Sequence, residues 1–204
     1  YKTGSDKMVL NWLLDAFDNK YNSIEFVGGY KAEEIKKSFP EISLKFNKNW
    51  NSTNSTGSFL CGTLQENSPI LVSYGDILFR SQIINKLRKS DKPISIAWDS
   101  KWNVNESQNG ERNKENHEKI QVYKSSVLRL GTDIPNKLSN GKFIGLVRFK
   151  PEVIEAINSI GEEVKEFLAD KQLSSFIEYL RIKGFEIEAF DVKGDWAEVF
   201  EPND

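Results

Sequence analysis

Ile24-Glu25-Phe26-Val27-Gly28-Gly29-Tyr30-Lys31-Ala32-Glu33-Glu34-Ile35 decides the fold class, because a short apolar strand runs into a Gly-Gly stop and a helix begins directly after it. The strand is predicted over 24–27 and the helix from Ala32 to Ser38, ending before Pro40. The same alternation extends in both directions. Upstream, 7–17 places Met8, Leu10, Leu13, Leu14 and Phe17 near one helical face, with Ser5 or Asp6 as the cap. Downstream, 42–46 alternates as a half-buried strand, and Asn54 or Ser55 can cap a helix through Leu64. Residues 69–74 form a buried strand that breaks at Gly75-Asp76. A helix over 82–88 and a strand over 94–98 follow. Further strands are predicted over 127–130, 143–149, 185–192 and 196–200, with helices over 153–168 and 176–182. The polar stretch 103–116 is read as a surface excursion or flap. Strands separated by helices imply an α/β protein with one largely parallel sheet covered on both faces.

Composition narrows the class. The chain has 204 residues, enough for one domain with a real core. Its net charge is −2, from 28 basic and 30 acidic residues, which argues against a nucleic-acid partner held by phosphate neutralisation. A single Cys61, placed in a helical pattern, leaves no disulfide framework and reads as packing. Apolar runs reach only about five residues, against the roughly 20 that a membrane helix needs. A cytoplasmic protein is expected.

In open α/β sheets ligands bind beyond the carboxyl ends of the strands. That rule singles out Gly28-Gly29-Tyr30, Gly75-Asp76, Asp99 and the segment 196–198. Asp76, behind an apolar strand and a glycine, can reach a divalent cation, or it can cap a following helix. Glu198 shares a strand face with Trp196 and Phe200, where a carboxylate is either a ligand or one half of a cross-strand salt bridge. Trp98 and Trp102 flank Asp99 and could form an aromatic wall for an ammonium group. His117 is the only histidine, so no cluster of histidines is available for a metal, and it reads as a solvated loop residue. Neither G-x-G-x-x-G nor G-x-x-x-x-G-K-[ST] occurs.

In order, "IEFVGGYKAEEI" (24–35), "NWNSTNSTGSF" (49–59), "PILVSYGDILF" (69–79), "SIAWDSKW" (95–102), "HEKI" (117–120), "NGKFIGLVRF" (140–149) and "GDWAEVFEPND" (194–204) resemble successive motifs of the nucleotidyltransferase (GT-A-like) family. The phosphocholine and 2-aminoethylphosphonate cytidylyltransferases are the most similar branch. The resemblance implies a three-layer α/β/α sandwich with a mixed, mostly parallel central sheet, like that of nucleotide-diphospho-sugar transferases. It implies transfer of CMP from CTP to a small phosphate or phosphonate, with release of pyrophosphate and dependence on Mg²⁺. Asp76 and Glu198 fall on the family's catalytic metal carboxylates. Asn54, Ser58, Gly75, Glu118, Lys119 and Trp196 fall on substrate-binding segments, and Asp99 with Trp102 falls where an acceptor's ammonium is held. The family's L-A-A-G-x-G-x-R loop has no counterpart in 1–204, which reads as a single domain short of its first strand and phosphate-binding loop. Phe200 stands where a second acid is expected, leaving Asp195 as a substitute. A sugar-1-phosphate enzyme or a non-catalytic domain of the same fold are the alternatives. A homodimer and a fusion to another enzyme are both compatible with the chain.

Overall fold

The structure, a computed structural model, describes residues 7–17, 23–102 and 117–199. The predicted Ser5 or Asp6 cap, the 103–116 flap and Phe200 lie outside them.

Helix α1 (Val9–Phe17) precedes strand β1 (Glu25–Gly28), helix α2 (Ala32–Ser38) and strand β2 (Ser43–Phe46). β1 and β2 pair in parallel, joined through α2. Both glycines of the first motif are needed for close approach. A Cβ on Gly28 would stand 2.7 Å from Ala32 Cβ, and one on Gly29 would stand 2.3 Å from Trp50 Cβ. Glu33 and Glu34 in the first turn of α2, with Lys36 and Lys37 in its last, complement the helix dipole.

Helix α3 (Ser55–Leu60) is capped by Asn54, whose Oδ1 accepts from the Ser55 amide at 2.8 Å. It stops short of the predicted Leu64 because the Gly62 amide closes a tight turn onto the Phe59 carbonyl. Strands β3 (Ile70–Ser73) and β4 (Ile77–Phe79) then flank the Tyr74-Gly75-Asp76 turn. Asp76 therefore does not cap a helix; a second strand follows it. Helix α4 (Ser81–Lys89) leads to β5 (Ile94–Asp99).

Strand β6 (Lys119–Tyr123), unpredicted from sequence, forms a hairpin with β7 (Ser126–Gly131) through Lys124, whose φ is +56°. Strand β8 (Gly141–Phe149) is followed by helices α5 (Pro151–Asn158) and α6 (Glu162–Ala169). The sequence reads these as one helix. Ser159 and Gly161 separate them, and Pro151 starts α5 at its first turn, where its missing N–H costs nothing. Helix α7 (Leu173–Ile182), β9 (Ile187–Asp191) and β10 (Trp196–Glu198) complete the described chain.

The main sheet is six-stranded, in the order β3-β8-β5-β9-β7-β6. Strands β3, β5, β6 and β9 run one way and β7 and β8 the other, so the sheet is mixed. Most of its strands share a direction, while β8, inserted between β3 and β5, makes those contacts antiparallel. β8 also pairs with β6 through Gly141 and Lys142, which closes a circuit of strands at that end.

Two cores give the three layers. Ile94, Ile96, Val147 and Phe149 face α3, α5 and α7, burying Phe59, Val153 and Phe176. Ala97 and Leu146 face α1 and α4, burying Leu13, Ile83 and Leu87. Each fully buried Phe or Ile contributes about 1.5–3 kcal/mol relative to an exposed one. β8 keeps its alternation through a bulge, where Trp98 pairs with Phe143 but Ala97 pairs with Leu146. Gly145 sits in that bulge at φ +81°, with the Tyr74 ring only 2.1 Å from where a Cβ would lie. No other residue fits there.

Candidate active site

Beyond β3, the Tyr74-Gly75-Asp76 turn is held from both sides. β10 pairs antiparallel with β4, registering Glu198 with Ile77. The Val199 amide donates to the Asp76 carbonyl at 2.7 Å. Two carboxylates far apart in sequence thus become neighbours. Asp76 is exposed to solvent, yet protein packed behind it and the negative charge of Glu198 push its carboxyl above the usual range, while the positive charge of Lys142 pulls it back. Gly75 is also exposed, and a Cβ there would meet only ordinary contact with Phe26 at 3.7 Å. Its side of the turn is open to a ligand.

Lys142 joins the cluster from the start of β8. Its Nζ lies 2.6 Å from Glu198 Oε2 and 5.3 Å from the centre of the Trp196 ring. The salt-bridge alternative for Glu198 is therefore realised, and Lys142 is its partner. Trp196 in turn donates its indole N–H to Asp99 Oδ2 at 2.9 Å, while the Lys101 amide donates to Asp99 Oδ1 at 2.9 Å. Asp99 is wholly buried, and these bonds offset its desolvation. The wall expected from Trp98 and Trp102 is not what meets Asp99. Strand alternation sends Trp98 into the core on the other face, and Trp102 is buried with its ring 5.5 Å from that of His117. The aromatic partner of Asp99 is Trp196.

Glu118 does different work from the substrate contact expected of it. It is buried, and its carboxylate accepts from the Tyr74 hydroxyl at 2.8 Å and from the Ser174 amide, in the first turn of α7, at 2.9 Å. Burial raises its pKa above the ordinary Glu range, more than these bonds and Lys142 lower it. The Tyr74 hydroxyl also lies 3.2 Å from Ser55 Oγ, which accepts from the Leu173 amide. Burial and the nearby carboxylate hold the Tyr74 phenol well above its usual range. Lys119 is buried, with its Nζ donating to the Thr132 carbonyl at 3.1 Å.

Asn54 and Ser58 belong to another neighbourhood. Asn54 caps α3, and Ser58 Oγ accepts from Asn47 Nδ2 at 3.2 Å. Asn47, Thr53 and Gly57 line a cavity of about 500 Å³ with Asn158 and Lys165, and no residue of the Asp76–Glu198 cluster borders it. Asp195, the candidate substitute acid, is paired with Arg80 at 2.7 Å on the surface. Lys142 and Tyr74 are the members that sequence reading missed. The one signal for Lys142 was a charged residue at the head of an otherwise apolar strand.

Among the described residues, no group of three or more His, Cys, Asp or Glu side chains is placed to hold a metal ion. None of their helices is long and apolar enough to cross a membrane.

This architecture is the nucleotidyltransferase fold of the nucleotide-diphospho-sugar transferases, and the relatives of the chain are nucleotidyltransferases, cytidylyltransferases among them. No family model matches the chain. The CTP:phosphoglutamine cytidylyltransferase of Campylobacter jejuni is 21% identical to it over 217 aligned positions, covering 95% of this chain and 84% of that protein. The inositol-1-phosphate CTP transferase from T. maritima superposes with a TM-score of 0.73 at 16% identity, over 99% of this chain and 80% of that one. A Bacillus anthracis protein assigned as a glucose-1-phosphate thymidylyltransferase, solved with a sucrose, gives a TM-score of 0.69 at 9% identity, over 93% and 76%.

Proposed function

We propose that the protein is a cytidylyltransferase that moves CMP from CTP onto a phosphate or phosphonate oxygen of a small acceptor, releasing pyrophosphate. The observation that carries this reading is the pairing of Asp76 with Glu198 at the turn after β3, in a nucleotidyltransferase fold. The alignment with a CTP-dependent relative over 95% of the chain supports CTP as donor. The acceptor is an amino-bearing phosphate or phosphonate, 2-aminoethylphosphonate or phosphocholine, since the Trp196 face, braced from behind by Asp99, suits an ammonium group.

The acceptor oxygen is already anionic at neutral pH, so no general base is required. It forms a bond to the α-phosphorus while the bond to the bridging oxygen breaks, and pyrophosphate leaves with that electron pair. Asp76 and Glu198 suit Mg²⁺, because this ion takes one or two carboxylates and completes its shell with water and phosphate oxygens. The Asp76 carboxyl, raised by desolvation and further by the charge of Glu198, is also a group that a cation relieves. When bound there, Mg²⁺ would supply charge neutralisation on the triphosphate. The protein's own part is positioning: the β4–β10 ladder fixes both carboxylates, and Trp196 fixes Asp99.

The test is pyrophosphate release from CTP and Mg²⁺ with 2-aminoethylphosphonate, phosphocholine, phosphoglutamine or a hexose 1-phosphate. Release with the amino-bearing acceptors is expected. Turnover with the hexose 1-phosphate alone would assign a sugar nucleotidyltransferase instead. No release together with no CTP binding would assign a non-catalytic domain.

A further inference from the structure

Lys142 is fixed at its backbone by two strands, registered with Asp99 of β5 on one side and Lys119 of β6 on the other. Only the outer part of its stem is free to move. Its ammonium meets Glu198 Oε2 in an ion pair whose side chains keep 12% and 24% of their exposure, beneath the Trp196 ring. The main chains that carry Asp76 and Glu198 are tied by the Val199 amide and the β4–β10 ladder. Lys142 supplies positive charge to this turn, paired with Glu198 and lowering the Asp76 carboxyl by its charge.

We propose that Lys142 is a resident counter-cation of this turn: its ammonium holds the place at Glu198 that a divalent cation takes, and it leaves Glu198 when the metal binds. The proposal rests on the metal role given to Asp76 and Glu198 above. Two cations cannot share one carboxylate oxygen without strong repulsion. Lys is suited to such an exchange, having a compact charge on a flexible stem with three rotatable donors. Paired with Glu198, the ammonium lies 5.3 Å from the centre of the Trp196 ring, and on leaving Glu198 it also uncovers that face.

The probe is Mn²⁺ alone, titrated into the full chain and followed by electron paramagnetic resonance of the free ion. Lys142→Met is expected to bind Mn²⁺ about tenfold more tightly than the native chain, or more. Lys142→Arg, which keeps the charge, is expected to bind no more tightly than native. Equal or weaker binding by Lys142→Met, with native binding intact, would overturn the exchange while leaving the metal site standing. Absence of Mn²⁺ binding in both chains would remove the metal site and the exchange with it. Should Lys142→Met not fold, the native chain decides the matter by its tryptophan emission. Mg²⁺ should change the emission, and Trp196→Phe should abolish the change. Metal binding without any Trp196-dependent change would show that Lys142 stays in place.

Discussion

Asp76 and Glu198 are neighbours by main-chain construction: the amide that follows Glu198 donates to the Asp76 carbonyl at 2.7 Å, and Glu198 is registered with the residue that follows Asp76. Their main chains are thus held side by side whether or not any ligand is present, close enough for the Glu198 charge to act on Asp76. Such preorganisation costs nothing at the moment of reaction.

Asp76→Asn keeps the shape of the turn and removes one charge. Pyrophosphate release should fall by at least about 100-fold if the side chain holds the metal, because charge neutralisation on a transferring phosphoryl group is worth several kcal/mol. The melting temperature should not fall, since desolvation and the Glu198 charge, which raise the Asp76 carboxyl, both disfavour its ionised form. Unchanged turnover with CTP would leave Asp76 as a turn residue only.

Glu118 gives the chain a pH-dependent stability of definite sign. Its folded pKa lies above the ordinary Glu value, mainly through burial. The folded state therefore binds the proton more readily than the unfolded state. The stability this contributes is fully present below the unfolded pKa and is lost as pH rises through the raised folded pKa. Glu118→Gln, neutral throughout, should lack that decline. Urea midpoints measured from pH 4 to pH 8 should show the native chain losing ground to the variant as pH rises. A constant difference, or a native chain that gains on the variant as pH rises, would contradict the sign.

Most elements were legible because their signals are local. Helix α2 matches its predicted bounds, and the Gly28-Gly29 stop marks the real close approach to Ala32 and Trp50. Asp76 and Glu198 could be singled out from position after apolar strands, and the structure brings them together. What stayed hidden is non-local. Glu118, just before strand β6, and Lys119 at its start read as substrate-binding residues by resemblance, whereas both are buried and bonded to Tyr74, Ser174 and Thr132. Lys142 lies 56 residues from its partner Glu198, and nothing near either one announces the pair. Trp102 was misplaced for the opposite reason: proximity in sequence to Asp99 suggested contact, and it was Trp196, from another strand, that made it.

Gly145 tests how the bulge supports the turn. At φ +81°, with a Cβ position 2.1 Å from the Tyr74 ring, alanine must both strain the backbone and displace the ring. Gly145→Ala should cost at least ~2 kcal/mol, combining an unfavourable conformation with overpacking. The ring shift also pulls the Tyr74 hydroxyl from Glu118 and disturbs the segment that carries Asp76. A urea denaturation curve measures the loss. A variant within 0.5 kcal/mol of native, the range of ordinary surface substitutions, would mean that the ring has room to move.

Trp196 and Trp102 should separate cleanly in kinetics. Trp102 is buried against His117, so Trp102→Ala should cost stability, about 3–5 kcal/mol, without distinguishing CTP from acceptor. Trp196 donates to Asp99 and presents its face to an ammonium, currently that of Lys142. Trp196→Phe keeps an aromatic face but removes the indole N–H, leaving the wholly buried Asp99 with the Lys101 amide. An unpaired oxygen there costs about 1–3 kcal/mol. The Asp99 carboxylate will then turn from its present orientation, and the KM for an amino-bearing acceptor should rise several-fold while the KM for CTP holds. An equal rise for both substrates would remove Asp99 and Trp196 from acceptor recognition. A selective rise with Trp102→Ala instead would restore the wall that the sequence suggested.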